Sequence, residues 1–219
     1  MNTKKILFDL NKKGTLIIST YRSGTHFLHD HIVDVLGNEH VSICDEICND
    51  NTINQLIKLT SSDNNQYKVA ILNNKIPHYY LFNNKELLQQ WHVVRLTRND
   101  KSHHFISYWF WKQNFKDNNF NIDHKNFIFQ HHGTDNQTYV NHMPKKTQFN
   151  IPDLIVWLQE QLSIFHVKSD VIIDYSELKN YFSNNIQWKP NQYNNIRLED
   201  LFTNHDEIKI LLDRFTPQC

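Results

Sequence analysis

The chain has 219 residues, of which 39% are hydrophobic, and its 23 lysines and arginines equal its 23 aspartates and glutamates. This length and apolar content are sufficient for a domain with a substantial core. The balanced charge argues against a general nucleic-acid-binding protein, because such proteins ordinarily carry a basic surplus that meets the phosphate backbone.

Short apolar runs rich in β-branched residues alternate along the chain with stretches of helical periodicity. Alternating strands and helices predict a parallel sheet covered on both faces. We therefore expect an α/β fold, with a single three-layer domain over residues 1–219. In chain order, the predicted elements are a strand at Thr15–Thr20, a helix at Gly24–Leu36, a weaker strand at Val41–Cys44, a helix at Asn51–Leu59, a strand at Lys68–Leu72, a helix at Asn84–Trp91, a strand at His92–Leu96, helices at Ser102–Lys112 and Pro152–Phe165, a strand at Asp170–Asp174, and one or two closing helices within Ile196–Phe215.

The stretch of residues 112–150 interrupts this alternation. It is long, polar and rich in Asn, His and aromatic residues. Segments of this length inside compact domains are commonly lids or binding loops. We expect it to be a lid or an acceptor-binding insertion.

The cysteines indicate the cellular compartment. Cys44, Cys48 and Cys219 are an odd number without a regular spacing, so they do not form a disulfide framework, and we expect a cytoplasmic protein. The N-terminal segment begins like a signal peptide, but Asp9 and Lys12 interrupt its apolar run. No stretch approaches the roughly 18 apolar residues of a membrane span, and none is expected.

The loop after the first predicted strand carries the most chemistry. It reads Ser-Thr-Tyr-Arg-Ser-Gly-Thr-His over residues 19–26 and lies between a buried strand and a helix. The first N–H groups of a helix, together with its dipole, form a site for an anion. Gly24 allows close approach of a ligand, Ser23 and Thr25 supply hydroxyl groups, and Arg22 supplies a fixed positive charge.

This loop differs from the loop that binds nucleoside triphosphates. The pattern G-x-x-x-x-G-K-S/T would require Gly in place of Ser19, Lys in place of Thr25 and Ser or Thr in place of His26. The loop therefore keeps the residues that bind an anion and lacks those that bind a magnesium triphosphate.

The same residues resemble the 5′-phosphosulfate loop of sulfotransferases that use 3′-phosphoadenosine 5′-phosphosulfate (PAPS). The pattern of that family is roughly T-x-P-K/R-S-G-T-T, and this chain departs from it at Tyr21 and His26. The resemblance implies a P-loop-like fold. It also implies that Arg22, Ser23, Gly24, Thr25 and His26 bind the 5′-phosphosulfate, with Arg22 stabilising charge on the bridging oxygen.

A second pair of residues resembles the family's site for the 3′-phosphate. Arg98 follows the predicted strand His92–Leu96, and Ser107 comes nine residues later on the next helix. The surrounding R-x-D-K and S-x-W residues are similar to the bacterial trehalose-sulfotransferase type. Arg98 supplies a bidentate fork for a phosphate, whereas Arg95 lies inside the strand and matches less well. An alternative is that Arg98 only caps a helix with Asp100.

A third match follows the last predicted strand. Asp174-Tyr175-Ser176-Glu177-Leu178 resembles the Tyr-Glu-Asp-Leu-like turn of sulfotransferases, with Ser176 as the expected N-cap of a helix. The three matches together imply transfer of a sulfuryl group from PAPS to a hydroxyl acceptor, which could be a carbohydrate or another small molecule, with 3′-phosphoadenosine 5′-phosphate (PAP) as the product.

The acceptor hydroxyl requires a general base, and several residues are candidates. In the trehalose type a Glu about twenty residues after the loop has this role, which corresponds to Glu46, with Asp45 as its neighbour. Other sulfotransferases use His, and His103 and His104 lie close in sequence to Arg98. Glu46 could equally be a solvated carboxylate without a catalytic role.

Three further predictions concern the rest of the site. Trp188 and Lys189 could bind the adenine or the 3′-phosphate, and Lys75 could reach the leaving group or be a surface lysine. The spacing of His26, His29 and His31 is not accompanied by Cys or carboxylate partners, so no metal is expected.

The rival functions are a P-loop kinase or nucleotide phosphotransferase and a non-catalytic PAP-binding module. The sequence leaves the acceptor and the oligomeric state open.

Overall fold

The computed structural model describes residues 5–20, 23–37, 41–42, 46–47, 52–61, 66–72, 84–116, 145–181 and 196–215. Its strands are β1 (Gly14–Ser19), β2 (Val41–Ser42), β3 (Glu46–Ile47), β4 (Tyr67–Leu72), β5 (Trp91–Thr97) and β6 (Val171–Asp174). Its α-helices are α1 (Thr25–Leu36), α2 (Thr52–Ser61), α3 (Lys85–Gln89), α4 (Lys101–Lys116), α5 (Ile151–Ser163), α6 (Leu198–Leu201) and α7 (His205–Arg214), and 3₁₀ helices span Ile164–His166 and Tyr175–Asn180.

The described strands form a parallel sheet in the order β2-β4-β1-β5-β6, and β3 also pairs with β4. The two short strands share one edge of β4, because β2 pairs with Tyr67 and Lys68 whereas β3 pairs with Ile71 and Leu72. The remaining pairs, β1 with β4, β1 with β5 and β5 with β6, are also parallel. The prediction of an α/β fold with a parallel sheet is therefore confirmed.

Helices cover both faces of this sheet. Leu16 and Ile18 of β1 share one core cluster with Leu56 of α2 and Leu87 of α3. Side chains alternate between the faces of a strand, so Ser19 lies on the face opposite Ile18, and there it shares a hydrogen bond with a residue of α1. The helix α1 and the helices α2 and α3 thus lie on opposite faces, as expected for strands buried on both sides.

Several predicted boundaries were wrong. The expected helix at Asn84–Trp91 ends at Gln89, and Trp91 instead begins β5, where its indole N–H donates to the Thr60 hydroxyl at 3.0 Å. The strand β3 was not predicted, and the helix that begins at Lys101 continues to Lys116, into the expected insertion. A local sequence pattern does not contain the contacts with distant residues, such as the bond from Trp91 to Thr60, that help to determine where a strand or a helix ends.

The chain divides into two compact units, the first formed by Met1–Asn99 and Trp157–Ile186 and the second by Asp100–Val156 and Gln187–Cys219. The first unit contains the sheet and the helices that cover it. The prediction that residues 1–219 form one domain stays a prediction.

The second unit has an aromatic core. Phe105 lies 5.0 Å from Phe149 and 5.7 Å from Phe202, centroid to centroid, and Trp109 lies 5.3 Å from Phe202. Edge-to-face and tilted pairs at these distances are favourable beyond the area that they bury. Phe105, Trp109 and Phe202 are all buried.

Asp200, in the second unit, provides a pH-dependent contribution to stability. It accepts the Arg197 backbone N–H at 2.9 Å, and this bond lowers the pKa of the Asp200 carboxyl below its ordinary value of 3.8. A carboxyl whose pKa is lowered on folding stabilises the protein above its unfolded pKa, and that contribution disappears as the pH falls through its folded pKa.

We expect Asp200→Asn to lower the free energy of unfolding by about 0.5 kcal/mol at pH 7, a small value because the carboxylate is partly exposed. Urea denaturation at pH 7 and at pH 2.5 measures the effect, and the two proteins should converge at the lower pH. Glu199→Gln is the matched control, since Glu199 also pairs with Arg197, at 3.0 Å, but through the exposed guanidinium and not the backbone N–H. An equal loss at both pH values would contradict the assignment.

Candidate functional site

The strand order reverses at β1, in the first unit. The chain leaves β1 through α1 toward β2, on the side of β4, and leaves β5 toward β6 on the other side. In open parallel sheets, ligands bind in the crevice beyond the carboxyl ends of the strands at such a point. The residues that follow these carboxyl ends are Thr20, Arg98 and Tyr175.

Hydroxyl groups close the loop that follows β1. The Ser19 and Thr25 hydroxyls share a hydrogen bond of 3.0 Å, and those of Thr20 and Ser23 share one of 2.8 Å. All four side chains are buried. These two hydrogen bonds join the residues before and after positions 21–22. Arg22 itself lies outside the described residues.

Gly24 is the N-cap of α1 and has the left-handed conformation, with φ of 85°. A Cβ atom at this position would lie 2.8 Å from Leu178 Cδ1 and 3.0 Å from two ring carbons of Tyr175. Both the backbone angle and the close approach of the Tyr175–Asn180 helix thus require glycine. The first turn of α1 directs its N–H groups toward the loop, the arrangement expected of an anion-binding helix N-terminus.

Arg98 is 4% exposed, and its guanidinium carbon lies 4.4 Å from the centroid of the Tyr175 ring. This stacking is a cation–π contact. Since the same ring approaches Gly24, one tyrosine side chain lies close to both the loop after β1 and Arg98.

Asp174 links the ends of β5 and β6. Its Oδ2 accepts the Asn99 backbone N–H at 2.9 Å, and its Oδ1 accepts the Ser176 N–H at 3.0 Å and the Ser176 hydroxyl at 2.6 Å. The expected N-cap was Ser176, which was wrong, because Asp174 caps the 3₁₀ helix and Ser176 is its donor. Both residues can cap a helix, and the extended backbone of Asp174 decides between them.

The other predicted site residues differ in location and in burial. His26, in the first turn of α1, has an exposed side chain. Ser107 and His104 lie on α4 in the second unit, with exposed fractions of 3% and 0%, respectively. Arg98 belongs to the first unit, so its pairing with Ser107 stays a prediction. The alternative base His103 lies with its Nδ1 2.5 Å from Asp100 Oδ2.

The structure gives only the backbone of Glu46. It lies in β3 and pairs in register with Ile71, which itself pairs with Ile17 of β1. Two strand spacings of about 4.8 Å place it roughly 10 Å from β1 across the sheet. The predictions for Arg22, Asp45, Lys75, Trp188 and Lys189 lie outside the described residues.

Arg95 lies inside β5, as predicted, and has a different environment from Arg98. Its Nη1 donates to the Phe165 carbonyl at 2.9 Å, and its guanidinium carbon lies 5.1 Å from the Phe165 ring. Burial lowers the pKa of Arg95 from its ordinary value. Arg95 therefore contacts Phe165 beside the middle of β5 and does not lie at the carboxyl ends of the strands.

Sequence reasoning identified Tyr175 and Asp174 only as parts of a structural turn. Their contacts with Arg98 and with Asn99 depend on the pairing of β5 with β6, in which Thr97 is opposite Asp174. The sequence signal that could have found them is an acidic residue at the end of the last strand and an aromatic residue directly after it, at the same edge as the loop.

Neither a metal-binding cluster nor a membrane-spanning helix is present among the described residues. No group of three or more His, Cys, Asp or Glu side chains in these ranges could hold a metal ion. Of the helices that the structure describes, none is both long enough and apolar enough to cross a membrane.

No protein-family model, curated protein or solved structure matches this chain.

Proposed function

We propose that the protein is a sulfotransferase with a P-loop-like fold, which transfers a sulfuryl group from PAPS to a hydroxyl acceptor and releases PAP. The acceptor would be a carbohydrate or another small molecule. A cytoplasmic location, expected from the cysteines, is part of the same proposal.

The observation that carries the proposal is the close approach of one ring, that of Tyr175, to both Gly24 and Arg98. A nucleotide with phosphate groups on its 5′ and 3′ oxygens requires two separate anion sites a short distance apart. The N-terminus of α1 supplies one, through backbone N–H groups and its dipole, and the Arg98 guanidinium supplies the other. The loop lacks the Lys and Ser/Thr of a magnesium-triphosphate site, which favours a sulfuryl donor over a kinase.

In this proposal each residue has a defined role. Arg22 stabilises charge on the bridging oxygen between sulfate and phosphate, while Ser23, Gly24, Thr25 and His26 hold the 5′-phosphate. The remainder of the donor has two further sets of ligands. Arg98 and Ser107 hold the 3′-phosphate, and Trp188 and Lys189 hold the adenine or the 3′-phosphate.

The transfer itself is an in-line displacement. The acceptor oxygen forms a bond to sulfur as the bond between sulfur and the 5′-phosphate oxygen breaks, and the acceptor proton passes to a base. Glu46 and His104 are the proposed bases. Glu46 comes about twenty residues after the loop, as the base of the trehalose type does, whereas His104 is completely buried and would need to be uncovered to reach an acceptor.

Calorimetric titration with PAP and with ADP, each with and without magnesium, tests the donor class. We expect PAP to bind at least about tenfold more tightly than ADP, because only PAP fills the second anion site, and we expect magnesium to change PAP binding little. Tighter, magnesium-dependent binding of ADP would overturn the proposal and favour a phosphotransferase.

Incubation with PAPS and a panel of hydroxyl acceptors then tests catalysis. Release of PAP that depends on an acceptor is the expected result. Tight PAP binding without turnover on any acceptor would instead indicate a non-catalytic PAP-binding module.

A further inference from the structure

Two aspartates at opposite ends of β6 accept backbone N–H groups from β5 and from the residues that follow it. Asp170 Oδ2 accepts the Val93 N–H at 2.7 Å, just before β6 begins, and Asp174 Oδ2 accepts the Asn99 N–H at 2.9 Å, where β6 ends. Val93 lies within β5, and Asn99 lies two residues beyond it. The two bonds differ in location, because only the Asp174 bond lies at the carboxyl ends of the strands, beside Arg98.

The backbone of Arg98 is held on both sides by β6. On one side the Thr97 hydroxyl donates to the Ile173 carbonyl at 3.3 Å, and on the other the Asn99 N–H is bound by Asp174. The second oxygen of the same carboxylate binds Ser176, the residue after Tyr175. One carboxylate thus fixes the backbone that carries Arg98 and the turn that carries the ring on which Arg98 stacks.

We propose that Asp174 is a positioning residue, which sets the selectivity of the site for a nucleotide bearing a 3′-phosphate by fixing Arg98 relative to Tyr175. This inference rests on the proposed function, since it assigns the 3′-phosphate to Arg98. A bidentate guanidinium–phosphate contact depends strongly on orientation, so an arginine that loses its backbone support loses discrimination.

The carboxylate is suited to this position for two reasons. It accepts three hydrogen bonds through two oxygens, which an amide with one acceptor oxygen cannot do. Those three donors also offset its charge, which would otherwise repel a phosphate nearby. A purely electrostatic role and a positioning role therefore predict opposite results when the charge is removed.

Titration calorimetry of the full chain with PAP and with AMP, which lacks the 3′-phosphate, tests the inference. For Asp174→Asn we expect the ratio of PAP affinity to AMP affinity to fall about tenfold, because the Asn99 bond and the Ser176 bonds cannot all be kept. The matched variant Asp170→Asn removes the same charge at the other end of β6, where one acceptor oxygen can keep the bond to Val93. Its affinity ratio should stay within about twofold of the unaltered protein.

A second variant covers the case in which Asp174→Asn does not fold. In Asp174→Ser the hydroxyl keeps an acceptor for the Ser176 N–H but is too short to replace the Oδ2 bond to Asn99. The same fall in the affinity ratio is expected.

Three outcomes would overturn the inference. They are an affinity ratio that rises or is unchanged in the Asp174 variants, an equal fall in Asp170→Asn, or an unaltered protein that binds PAP and AMP equally. Only the last would also overturn the proposed function, because the first two leave a selective site in the unaltered protein.

Discussion

Arg98→Ala is expected to weaken PAP binding about 100-fold, because a guanidinium that forms charge-assisted hydrogen bonds to a phosphate contributes roughly 1.5–3 kcal/mol. AMP binding should weaken by no more than about threefold, since AMP places no charge at this position. The measurement is calorimetric titration of both nucleotides. The arginine also stacks on Tyr175 at 4.4 Å, so we expect the variant to lose about 1 kcal/mol of unfolding free energy as well.

Arg95→Ala is the matched control for this variant. Arg95 lies within β5, the strand that Arg98 follows, and it also stacks on an aromatic ring, that of Phe165 at 5.1 Å. Its removal should cost a similar amount of stability and leave the ratio of PAP affinity to AMP affinity unchanged. If both arginine variants changed that ratio equally, or if Arg98→Ala weakened PAP and AMP to the same extent, Arg98 would not be the 3′-phosphate ligand.

Gly24→Ala is expected to lower the free energy of unfolding by about 2–4 kcal/mol. Part of this cost is the left-handed backbone, with φ of 85°, which an alanine adopts unfavourably. The rest arises because the new Cβ would lie 2.8 Å from Leu178 Cδ1 and 3.0 Å from the Tyr175 ring. Moving that ring would also displace the surface on which Arg98 stacks, so PAP binding should weaken at temperatures where the variant is still folded. Urea denaturation and PAP titration measure the two effects.

Gly37 provides a control for the contact with Tyr175. It also has a positive φ, of 76°, with ψ of 146°, but a Cβ there would meet no atom within 4 Å. Gly37→Ala should therefore lose stability through its backbone alone, about 1–3 kcal/mol, and bind PAP normally. Equal weakening of PAP binding in the two variants would mean that the contact with Tyr175 does not constrain the loop.

Local sequence patterns predicted which stretches form strands more accurately than they predicted the first and last residues of each strand. The apolar run of β1 was expected one residue late at both ends, and that of β4 lacked only Tyr67. Trp91 was assigned to a helix because an aromatic residue fits either periodicity, and its bond to Thr60 favours the strand. Similarly, the capping rule allowed both Asp174 and Ser176, and the backbone conformation selected Asp174.

Part of the candidate site could also be predicted. Ser23, Gly24 and Thr25 were assigned because a glycine and hydroxyl residues between a strand and a helix have a local meaning. Arg98 was assigned because its position after a strand, nine residues before Ser107, resembles the sulfotransferase pattern. The roles of Tyr175 and Asp174 could not be predicted in this way. Their partners, Gly24, Arg98 and Asn99, are distant in sequence and come close only at the edge where three strands end.

By itself, the sequence determined the alternation of strands and helices, the parallel α/β class and the loop at Ser23–Thr25, since these depend on periodicity and on the conformational freedom of single residues. Only the tertiary structure decided that β5 lies between β1 and β6 and that Thr97 is opposite Asp174. The physical reason is that buried strands with similar apolar patterns can be arranged in several orders. The packing of the whole sheet and its helices selects one of them, and with it the residues that meet at the carboxyl ends.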